Sequence, residues 1–476
     1  MLLPKNKTKI VCTIGPASES LDVMCRLMEA GMNIARLNFS HGDFSAHKQV
    51  IDNLRTASAK TGRRLAIMAD LSGPKMRIGK LAHEPIHLKA EDTFTLTTDN
   101  IIGDNTRASV SFEKLPQAVK AGDTLYLNDG YIQLEVAKVN GSDVTCTVKV
   151  GGELRSRKGL NLPGINLGIR AFTERDRECL KFALENGVDA VSQSFVENAS
   201  DIHEVRKTAK DLGYQPFIIA KIERSNALEN IDEIIEAADG IMIARGDLGV
   251  EVPIERIAVV QKDLMKRANM RAKPVITATQ MLESMTTNKR PTRAEATDVS
   301  NAIINGTDCV MLSGESAMGN YPVESVTMLA KIATAVEPER HQVPVKEMFH
   351  GIDLSGKIRP EHLIAVSVET SLEYVTPAAV FVPTRTGATA RSIGRFRLPV
   401  WIIAVSSQEA TCQNLQFSYG VYPVCEKDHP EKWKSYVKEW LGRLGLAGDI
   451  VVLTEGPSSK HPDSNHRMEI IDLRSS

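Results

Sequence analysis

Two short stretches of the sequence, AKIE at residues 220–223 and ARGD at residues 244–247, decide the fold. Each follows an apolar run, and a helical pattern over residues 227–238 lies between them. The order strand, helix, strand is typical of a βαβ unit, whose two parallel strands lie side by side. Glu223 and Asp247 are therefore expected at the same sheet edge, with Lys221 beside them. Two carboxylates and an ammonium at strand ends can hold a divalent cation and an anionic substrate, which indicates phosphate chemistry.

The bulk composition narrows the possible partners. A formal net charge of -1 over 476 residues creates no overall field that would attract nucleic acid or an acidic membrane. Seven scattered cysteines without a C-x-x-C pair indicate a reducing compartment and argue against a disulfide framework or a zinc site. The opening MLLPKNKTKI lacks the apolar region of a signal peptide, and no apolar run is long enough to cross a membrane. We therefore expect a cytoplasmic protein that binds neither nucleic acid nor membranes.

Eight apolar segments with strand character alternate with helical patterns along the chain. Eight β–α steps match the count of a (β/α)8 TIM barrel, an α/β fold. A doubly wound open sheet is the alternative, and the count of eight favours the barrel. The predicted strands cover residues 9–14, 33–37, 65–70, 188–193, 217–221, 240–244, 274–277 and 308–312.

Two regions lack this alternation of strands and helices, and their patterns predict further domains. Short alternating strands at 94–97, 124–127, 132–139 and 144–150 indicate an all-β domain inserted after the third barrel strand. An insertion there sits over the active-site face, so we expect it to act as a lid. Strands at 379–382, 400–404, 421–424 and 450–453 predict a separate parallel-sheet α/β domain. The predicted domains are the barrel at 1–70 and 171–345, the lid at 71–170 and the C-terminal domain at 346–476.

Polar side chains follow the second and third predicted strands. Arg36 offers a planar fork suited to a phosphate. Asn38 and Ser40 alternate onto the same side, and Asp70 ends strand three, so their oxygens together suit a hard cation. A helix start capped by Ser40 or Asp43 explains the same segment about equally well.

Further candidate side chains border the predicted barrel mouth. Lys75 and Arg77 follow the Gly-Pro turn into the lid, and Lys158 lies where the lid returns, so these residues can meet phosphate groups. A solvated basic turn is the alternative for the first pair. Thr279 ends strand seven, where a hydroxyl can bind a carboxylate or relay a proton, although a lone threonine there is usually a helix N-cap.

Six segments of the chain resemble the motifs of the pyruvate kinase family, in the order that the family has them. The resemblance covers essentially the whole length and implies transfer of the phosphoryl group of phosphoenolpyruvate to ADP, giving pyruvate and ATP, as the final step of glycolysis. It also implies Mg2+ or Mn2+ as cofactor and a homotetramer. The segments are TKIVCTIGPAS (8–18), RLNFSHG (36–42), AKIER (220–224), IMIARGDLGVE (241–251), ITATQMLESM (276–285) and MLSGESA (311–317).

The resemblance implies roles for the charged residues. Glu223 and Asp247 match the divalent-metal ligands, Lys221 matches the catalytic lysine that stabilises the transferring phosphoryl group, and Arg36 matches the arginine that holds it. The residues that match nucleotide-side contacts are Asn38, Phe39, Ser40, His41, Arg77 and Lys158.

The resemblance also implies a site for the substrate carboxylate and a route for a proton. The backbone N–H groups of Gly246 and Asp247, together with Thr279, match the carboxylate site. Thr279 is also expected near the enolate that must be protonated after transfer. A threonine hydroxyl is a poor acid, so we expect a water relay that includes Ser313 and Glu315.

One position departs from the best-known form of the family. Many members bind K+ with groups that match Asn38, Ser40, Asp70 and the carbonyl of Leu71, and they typically carry Thr and Glu where this chain has Leu71 and Lys75. The Leu/Lys combination resembles the K+-independent branch. An ammonium about 4 Å from a bound cation is disfavoured by roughly 4 kcal/mol at an effective dielectric of about 20. Lys75 is therefore expected to replace the monovalent cation.

The segment PTRTGAT at residues 383–389 lies between a predicted strand and a predicted helix. Hydroxyls and free N–H groups at a helix start bind phosphate well, and the resemblance implies an effector pocket for a sugar phosphate or AMP. A capped helix start without a ligand is the alternative, and residues 455–467 match the family's effector loop only loosely. The implied contacts are Thr384, Arg385, Thr386, Gly387 and Thr389.

Two other functions compete with this hypothesis. A magnesium-dependent barrel lyase or aldolase acting on pyruvate-like acids would use the same metal pair, but Arg77, Lys158 and the lid argue against it. A non-catalytic metabolite sensor would be expected to have lost Arg36, Lys221 or the carboxylate pair, and the chain retains them.

Overall fold

The computed structural model describes residues 3–340, 360–428, 430, 432–456 and 465–474. The first part of the chain forms two β–α units and a third parallel strand. Short polar side chains start both helices, since Ser20 caps α1 and Asp43 caps α2 by accepting a backbone N–H. Asp43 is thus the cap, as one of the two sequence alternatives has it. The elements are β1 (Lys9–Thr13), α1 (Leu21–Ala30), β2 (Met32–Asn38), α2 (Phe44–Thr61) and β3 (Ala66–Leu71).

After β3 the chain enters a β-rich insertion with its own apolar core. Its main sheet has the order β11-β7-β8-β9-β5-β6, and β10 pairs with β4. The four predicted strands are present as β5, β7, β8 and β9, while the four others are too short for their alternation to be recognised. The elements are β4 (Ile86–Leu88), β5 (Thr93–Thr97), β6 (Arg107–Ser109), α3 (Leu115–Ala118), β7 (Thr124–Leu127), β8 (Ile132–Asn140), β9 (Asp143–Val150), β10 (Gly152–Leu154) and β11 (Leu160–Asn161).

The chain then completes the barrel. Eight parallel strands close in the order β1-β16-β15-β14-β13-β12-β3-β2, which confirms the TIM barrel with an inserted domain. Short 3-10 turns at Ile254–Arg256, Glu283–Thr286 and Glu337–Glu339 accompany the helices. The elements are α4 (Glu174–Glu185), β12 (Ala190–Gln193), α5 (Ala199–Asp211), β13 (Phe217–Ile222), α6 (Ser225–Glu229), α7 (Ile231–Ala237), β14 (Gly240–Ala244), α8 (Arg245–Glu251), α9 (Ile257–Met270), β15 (Val275–Ala278), α10 (Arg293–Ile304), β16 (Cys309–Leu312), α11 (Gly314–Ala317) and α12 (Pro322–Val336).

The helical stretch predicted over residues 227–238 is present, but it is divided into two helices, α6 and α7. Asn230 ends the first helix and precedes the second. Its side-chain amide donates to the backbone oxygen of Glu197 at 2.9 Å. Asparagine competes with helical hydrogen bonds in this way and favours helix ends, and apolar periodicity alone does not reveal the break.

The C-terminal part is an α/β domain whose five-stranded sheet has the order β19-β18-β17-β20-β21. The prediction of a parallel sheet is wrong at one edge, because β21 runs antiparallel to β20. This strand is largely exposed and carries little alternation. The predicted boundary at residue 346 lies in 341–359, outside the described residues. The elements are α13 (Pro360–Leu372), β17 (Val380–Pro383), α14 (Ala388–Gly394), β18 (Ile402–Ser406), α15 (Glu409–Asn414), a 3-10 turn (Leu415–Phe417), β19 (Val421–Cys425), α16 (Trp433–Leu444), β20 (Ile450–Glu455) and β21 (Arg467–Asp472).

Apolar side chains fill the barrel and close one of its ends. Val11, Met68 and Met242 belong to a buried cluster inside the barrel. Phe417, from the C-terminal domain, stacks on Phe217 with a ring separation of 5.2 Å at the amino-terminal end of β13. The open mouth is therefore at the carboxyl ends of the strands, which is the end that carries active sites in this fold. Among the described residues no helix combines the length and apolarity needed to span a membrane.

Candidate active site

Strands β13 and β14 bring the residues of the two opening motifs to the barrel mouth. Ile222 lies beside Ile243 in the parallel pairing, so Glu223 leaves β13 where α8 begins after β14. Asp247 lies in the first turn of α8. Burial and the charge of Glu223 raise the pKa of Asp247 to about 6, although Lys221 opposes both. The three groups therefore share one electrostatic environment.

Lys221 is buried among oxygen atoms. Its Nζ donates to the Ser194 hydroxyl at 2.6 Å and lies 3.2 Å from Oε2 of Glu223 and 3.5 Å from Oδ1 of Asp70. Burial by itself lowers the pKa of Lys221, but the Asp70 and Glu223 carboxylates more than compensate, and the net pKa is raised. The site therefore holds a permanent positive charge in a fixed position.

Asp70 joins this lysine to Arg36. Nε of Arg36 donates to Oδ2 of Asp70 at 2.8 Å, Nη2 donates to the same oxygen, and Nη1 donates to the Thr13 hydroxyl at 2.9 Å. The Ser192 hydroxyl donates to Oδ1 at 2.7 Å. Burial by itself raises the pKa of Asp70, but Lys221 and Arg36 bring it down to about 2. One carboxylate that stays ionised thus fixes two cations at the mouth.

The residues at the mouth fit a divalent cation. Oε1 of Glu223 accepts the backbone N–H of Phe195 at 2.8 Å, whereas Oε2 is buried and lies 3.2 Å from Nζ of Lys221 without a well-aligned hydrogen bond from the described chain. A buried carboxylate oxygen of this kind is suited to a hard cation. The described residues contain no group of three His, Cys, Asp or Glu side chains arranged around a metal. Glu223 and Asp247 are two carboxylates, the number with which proteins often hold Mg2+ while substrate and water supply the rest.

The turn after β15 places Thr279 against the start of α8. The Thr279 hydroxyl accepts the N–H of Gly246 at 2.8 Å and donates to the carbonyl of Ala278 at 2.7 Å. The resemblance implies that the N–H of Gly246 binds the substrate carboxylate. In this structure the same N–H donates to the Thr279 hydroxyl. Thr279 has a φ of 66°, which is unfavourable for a β-branched residue. Arg245 stabilises this turn by donating to the carbonyl of Thr279 at 2.7 Å.

The predicted nucleotide-side cations cluster at the junction between barrel and lid. Burial lowers the pKa of His41, and Lys75, Arg77 and Arg36 lower it further. Arg77 pairs with Gly159 across the two lid connections, which puts Lys158 on the adjoining segment. Lys75 is exposed as a residue, but partial burial of its ammonium and the charges of Arg77 and Lys221 lower its pKa to about 8.

Phe39 occupies a different environment from the other nucleotide-side residues. Its ring is buried and stacks on His47 with a ring separation of 4.3 Å. Its backbone N–H donates to the carbonyl of Asp70 at 3.1 Å. The side chain is therefore part of the packing behind β2 and β3.

The oxygens of the predicted monovalent site lie together but satisfy one another. Oδ1 of Asn38 accepts the N–H of Ser40 at 3.2 Å, and the Ser40 hydroxyl lies 2.7 Å from that of Ser72. Asp70 is shared between Arg36 and Lys221, as described above, and Leu71 is the buried last residue of β3. The negative charge of Asp70 is thus already balanced by protein cations.

The inserted domain reaches the mouth, as expected for a lid, through tip residues that the sequence did not identify. Asn128, Asp129 and Gly130 all have positive φ, and a Cβ on Gly130 would lie 3.1 Å from the Val250 side chain of α8. The charge of Asp129 also contributes to the raised pKa of Asp247. The NDG sequence indicates a turn, but nothing in it indicates where the turn docks. Ser192, Ser194 and Arg245 were missed for the same reason.

The predicted effector loop between β17 and α14 is closed on itself. The Thr384 hydroxyl accepts the N–H of Gly387 at 3.0 Å, and the Thr386 hydroxyl accepts the N–H of Ala388 at 3.4 Å. Arg391 donates to the carbonyl of Thr386 at 3.1 Å. Arg385 and Thr386 are exposed and Thr389 is half-buried. Residues 457–464, in the loosely matching second loop, lie outside the described residues.

The fold and the site together define an enzyme of the lidded TIM-barrel class, with paired carboxylates and buried cations at its mouth. The family model for the barrel domain of pyruvate kinase matches residues 5–326, and the model for the pyruvate kinase alpha/beta domain matches residues 362–471. The chain therefore belongs to the pyruvate kinase family and is a phosphotransferase.

Relatives named pyruvate kinase align with nearly the whole chain. The protein from Thermococcus litoralis is 49% identical over 458 residues, covering 96% of both chains. The Geobacillus stearothermophilus protein is 42% identical over 482 residues, covering 98% of this chain and 80% of its own. The Clostridium acetobutylicum protein is 40% identical, covering 88% of both chains.

Proposed function

We propose that the protein transfers the phosphoryl group of phosphoenolpyruvate to ADP, producing pyruvate and ATP as the last step of glycolysis. The observation that carries this proposal is the mouth itself. Lys221 and Arg36 are held by one ionised aspartate, and beside them Glu223 has a buried oxygen that is paired with the Lys221 charge but accepts no well-aligned hydrogen bond from the described chain. Phosphoryl transfer depends mainly on positioning and charge neutralisation, and this arrangement supplies both.

Each charged group has a distinct task in this mechanism. Glu223 and Asp247 would hold Mg2+ or Mn2+, which when bound neutralises charge on the substrate. Lys221 presents a fixed ammonium from β13 toward the transferring phosphoryl group, and Arg36 holds that group from β2, which β12 and β3 separate from β13. Because Asp70 and Ser194 fix the two cations beforehand, little reorganisation is needed as charge develops.

Protonation of the enolate is assigned to the region of Thr279. A threonine hydroxyl is a weak acid, so we propose that a water carries the proton in a relay through Thr279. The other two predicted relay members lie close to each other in the loop after β16. Glu315 accepts the N–H of Ser313 at 2.7 Å and that of Leu282 at 3.0 Å, so both of its oxygens already have backbone donors. This arrangement favours a holding role for Glu315 and leaves the hydroxyls of Thr279 and Ser313 as the side-chain members of the relay.

We further propose that K+ is not required. Asp70 is neutralised by Arg36 and Lys221, and Lys75 adds a third positive charge whose pKa responds to both of them. A monovalent cation placed among these groups would be repelled. Asn38, Ser40 and Leu71 then serve to shape the phosphate side of the mouth.

Two further proposals concern assembly and regulation. A homotetramer is proposed from the family to which the chain belongs, and exposed apolar side chains such as Ile254 of the barrel (70% exposed) and Tyr374 of the C-terminal domain (83% exposed) are available to an interface. The loop of Thr384 to Thr389 is the proposed binding place for the phosphate of a sugar-phosphate or AMP effector, which would compete with the loop's internal hydrogen bonds.

The proposed reaction is tested by a lactate-dehydrogenase-coupled assay with phosphoenolpyruvate, ADP and Mg2+. We expect pyruvate formation that depends on all three reagents. A barrel lyase or aldolase would release pyruvate from another acid without ADP, and a sensor would bind phosphoenolpyruvate without turnover. Absence of ADP-dependent pyruvate formation would overturn the proposal.

A further inference from the structure

A tight contact joins the lid connection to the catalytic residues. Gly73, with a φ of +62°, lies where the chain leaves β3 for the lid. A Cβ on this glycine would lie 2.8 Å from Cδ2 of Phe195 and 3.3 Å from Cβ of Ser194. The turn into the lid therefore rests directly on the segment that follows β12. We call Gly73, Ser194 and Phe195 the hinge corner.

The two residues on the barrel side of the hinge corner each hold a catalytic group. The N–H of Phe195 donates to Oε1 of Glu223 at 2.8 Å, and the hydroxyl of Ser194 accepts from Nζ of Lys221 at 2.6 Å. Phe195 has a φ of 60°, a strained conformation for a residue that carries a side chain. The strain is maintained by the contacts on either side of the residue.

Phe195 also contacts the lid. Its ring packs against the apolar core of the inserted domain. One residue thus touches the lid core with its side chain, the lid connection through Gly73, and the proposed metal ligand with its backbone. A rotation of the lid about the connection would therefore change the contacts of the Phe195 ring and, through them, the position of its N–H group.

We propose that the hinge corner couples lid position to the affinity of the barrel mouth for a divalent cation. Movement of the lid shifts the Phe195 ring, the ring sets the direction of the Phe195 N–H, and that N–H orients the Glu223 carboxylate. Coupling of this kind is reciprocal, so cation binding favours the lid position that aligns Glu223. Gly73 and Phe195 are positioning residues in this scheme. The inference takes from the proposed function only the identity of the metal ligands.

The test measures Mn2+ binding to the full chain by electron paramagnetic resonance, without substrates. Gly73→Ala pushes a methyl group into Phe195, and we expect its Kd for Mn2+ to rise by roughly 5- to 50-fold. Gly168→Ala is the matched control. Gly168 lies near the other lid connection with a φ of +59°, but a Cβ there meets no atom of the described chain within 4 Å. Its Kd should stay within about twofold of the wild type.

A double-mutant cycle separates the ring contact from backbone strain. Phe195→Gly removes the ring and tolerates positive φ. The Gly73→Ala/Phe195→Gly variant should therefore bind Mn2+ no more weakly than Phe195→Gly alone.

Three outcomes overturn the inference: Gly73→Ala binds Mn2+ like the wild type, Gly168→Ala loses as much affinity, or the losses in the double variant add. If Gly73→Ala does not fold, Phe195→Leu tests the contact without crowding the turn, and wild-type affinity in that variant refutes the coupling. Mn2+ binding does not require turnover. A protein that shows the coupling but forms no ATP would disprove the proposed function and leave this inference standing.

Discussion

The barrel mouth and the loop after β17 are built alike, yet their polar groups are used differently. Both follow the carboxyl ends of parallel strands, and both offer hydroxyls, a basic residue and a helix start. At the mouth, the buried Oε2 of Glu223 is paired with Lys221 but accepts no well-aligned hydrogen bond from the described chain, and Asp247 has a raised pKa. In the loop, the Thr384 and Thr386 hydroxyls accept backbone N–H groups of the loop itself. The mouth thus concentrates buried charge that a cation and an anionic substrate can balance, whereas a ligand at the loop must compete with hydrogen bonds that the loop already makes.

The largest expected effect comes from removing the buried ammonium. Lys221→Met should lower kcat by roughly 100- to 1,000-fold, because a preorganised charge that meets the developing transition state is lost. KM for phosphoenolpyruvate should change much less. Steady-state kinetics in the coupled assay measure both constants, and circular dichroism checks the fold. A larger effect on KM than on kcat would show that Lys221 serves ground-state binding.

Reversing the charge of Lys75 should create a need for a monovalent cation. Lys75→Glu is expected to lower activity in K+-free buffer by about tenfold or more, and added K+ should restore much of it. Lys89→Glu, an exposed lid lysine outside the mouth, is the control for a change in net charge. An equal loss of activity in both variants, or no rescue by K+, would show that Lys75 does not replace the monovalent cation.

The pH profile provides a milder test of the same residue. Burial and neighbouring cations lower the pKa of Lys75 to about 8, so its charge is present below that pH and is lost as the pH rises through it. We expect kcat/KM in K+-free buffer to fall above about pH 8, since this ratio reports the free enzyme. In Lys75→Gln this alkaline limb should disappear. An unchanged limb would assign the titration to another group.

The smallest effect is expected at the effector loop. Thr386→Ala removes one long, exposed hydrogen bond to the N–H of Ala388 and should lower the unfolding free energy by at most about 0.5 kcal/mol. The variant should also lose any activation by fructose bisphosphate or AMP. Ser407→Ala, at the end of the neighbouring strand, is the control. Full activation in Thr386→Ala would place effector binding elsewhere and leave the loop as a capped helix start.

The same contrast explains what could be predicted from the sequence. Apolar runs ending in Lys221, Glu223 and Asp70 reveal both the barrel strands and the charged residues that follow them, since strand polarity and side-chain chemistry are local properties. The break at Asn230 and the antiparallel β21 depend on a hydrogen bond to a distant carbonyl and on an exposed edge pairing, which leave little local pattern.

The parts of the site that escaped prediction are tertiary contacts. Nothing in the sequence distinguishes Ser194 from other serines, because its role depends on the hydrogen bond from Lys221. The role of Phe195 likewise depends on its positive φ and on the partner of its N–H group, which only the structure shows. The docking of Asp129 above α8 likewise depends on how the lid folds back. Residue identity therefore indicates which groups carry the chemistry, and the fold determines which groups hold them.

The most direct test follows the reaction by phosphorus-31 NMR, with phosphoenolpyruvate, ADP and Mg2+ in a buffer whose only monovalent cation is tetramethylammonium. The wild-type protein should convert the phosphoenolpyruvate signal into the γ-phosphate signal of ATP. Glu223→Gln, which keeps the shape of the side chain but loses its charge, should leave phosphoenolpyruvate unconsumed over the same period. Failure of the wild type to form ATP, or comparable ATP formation by Glu223→Gln, would contradict the account.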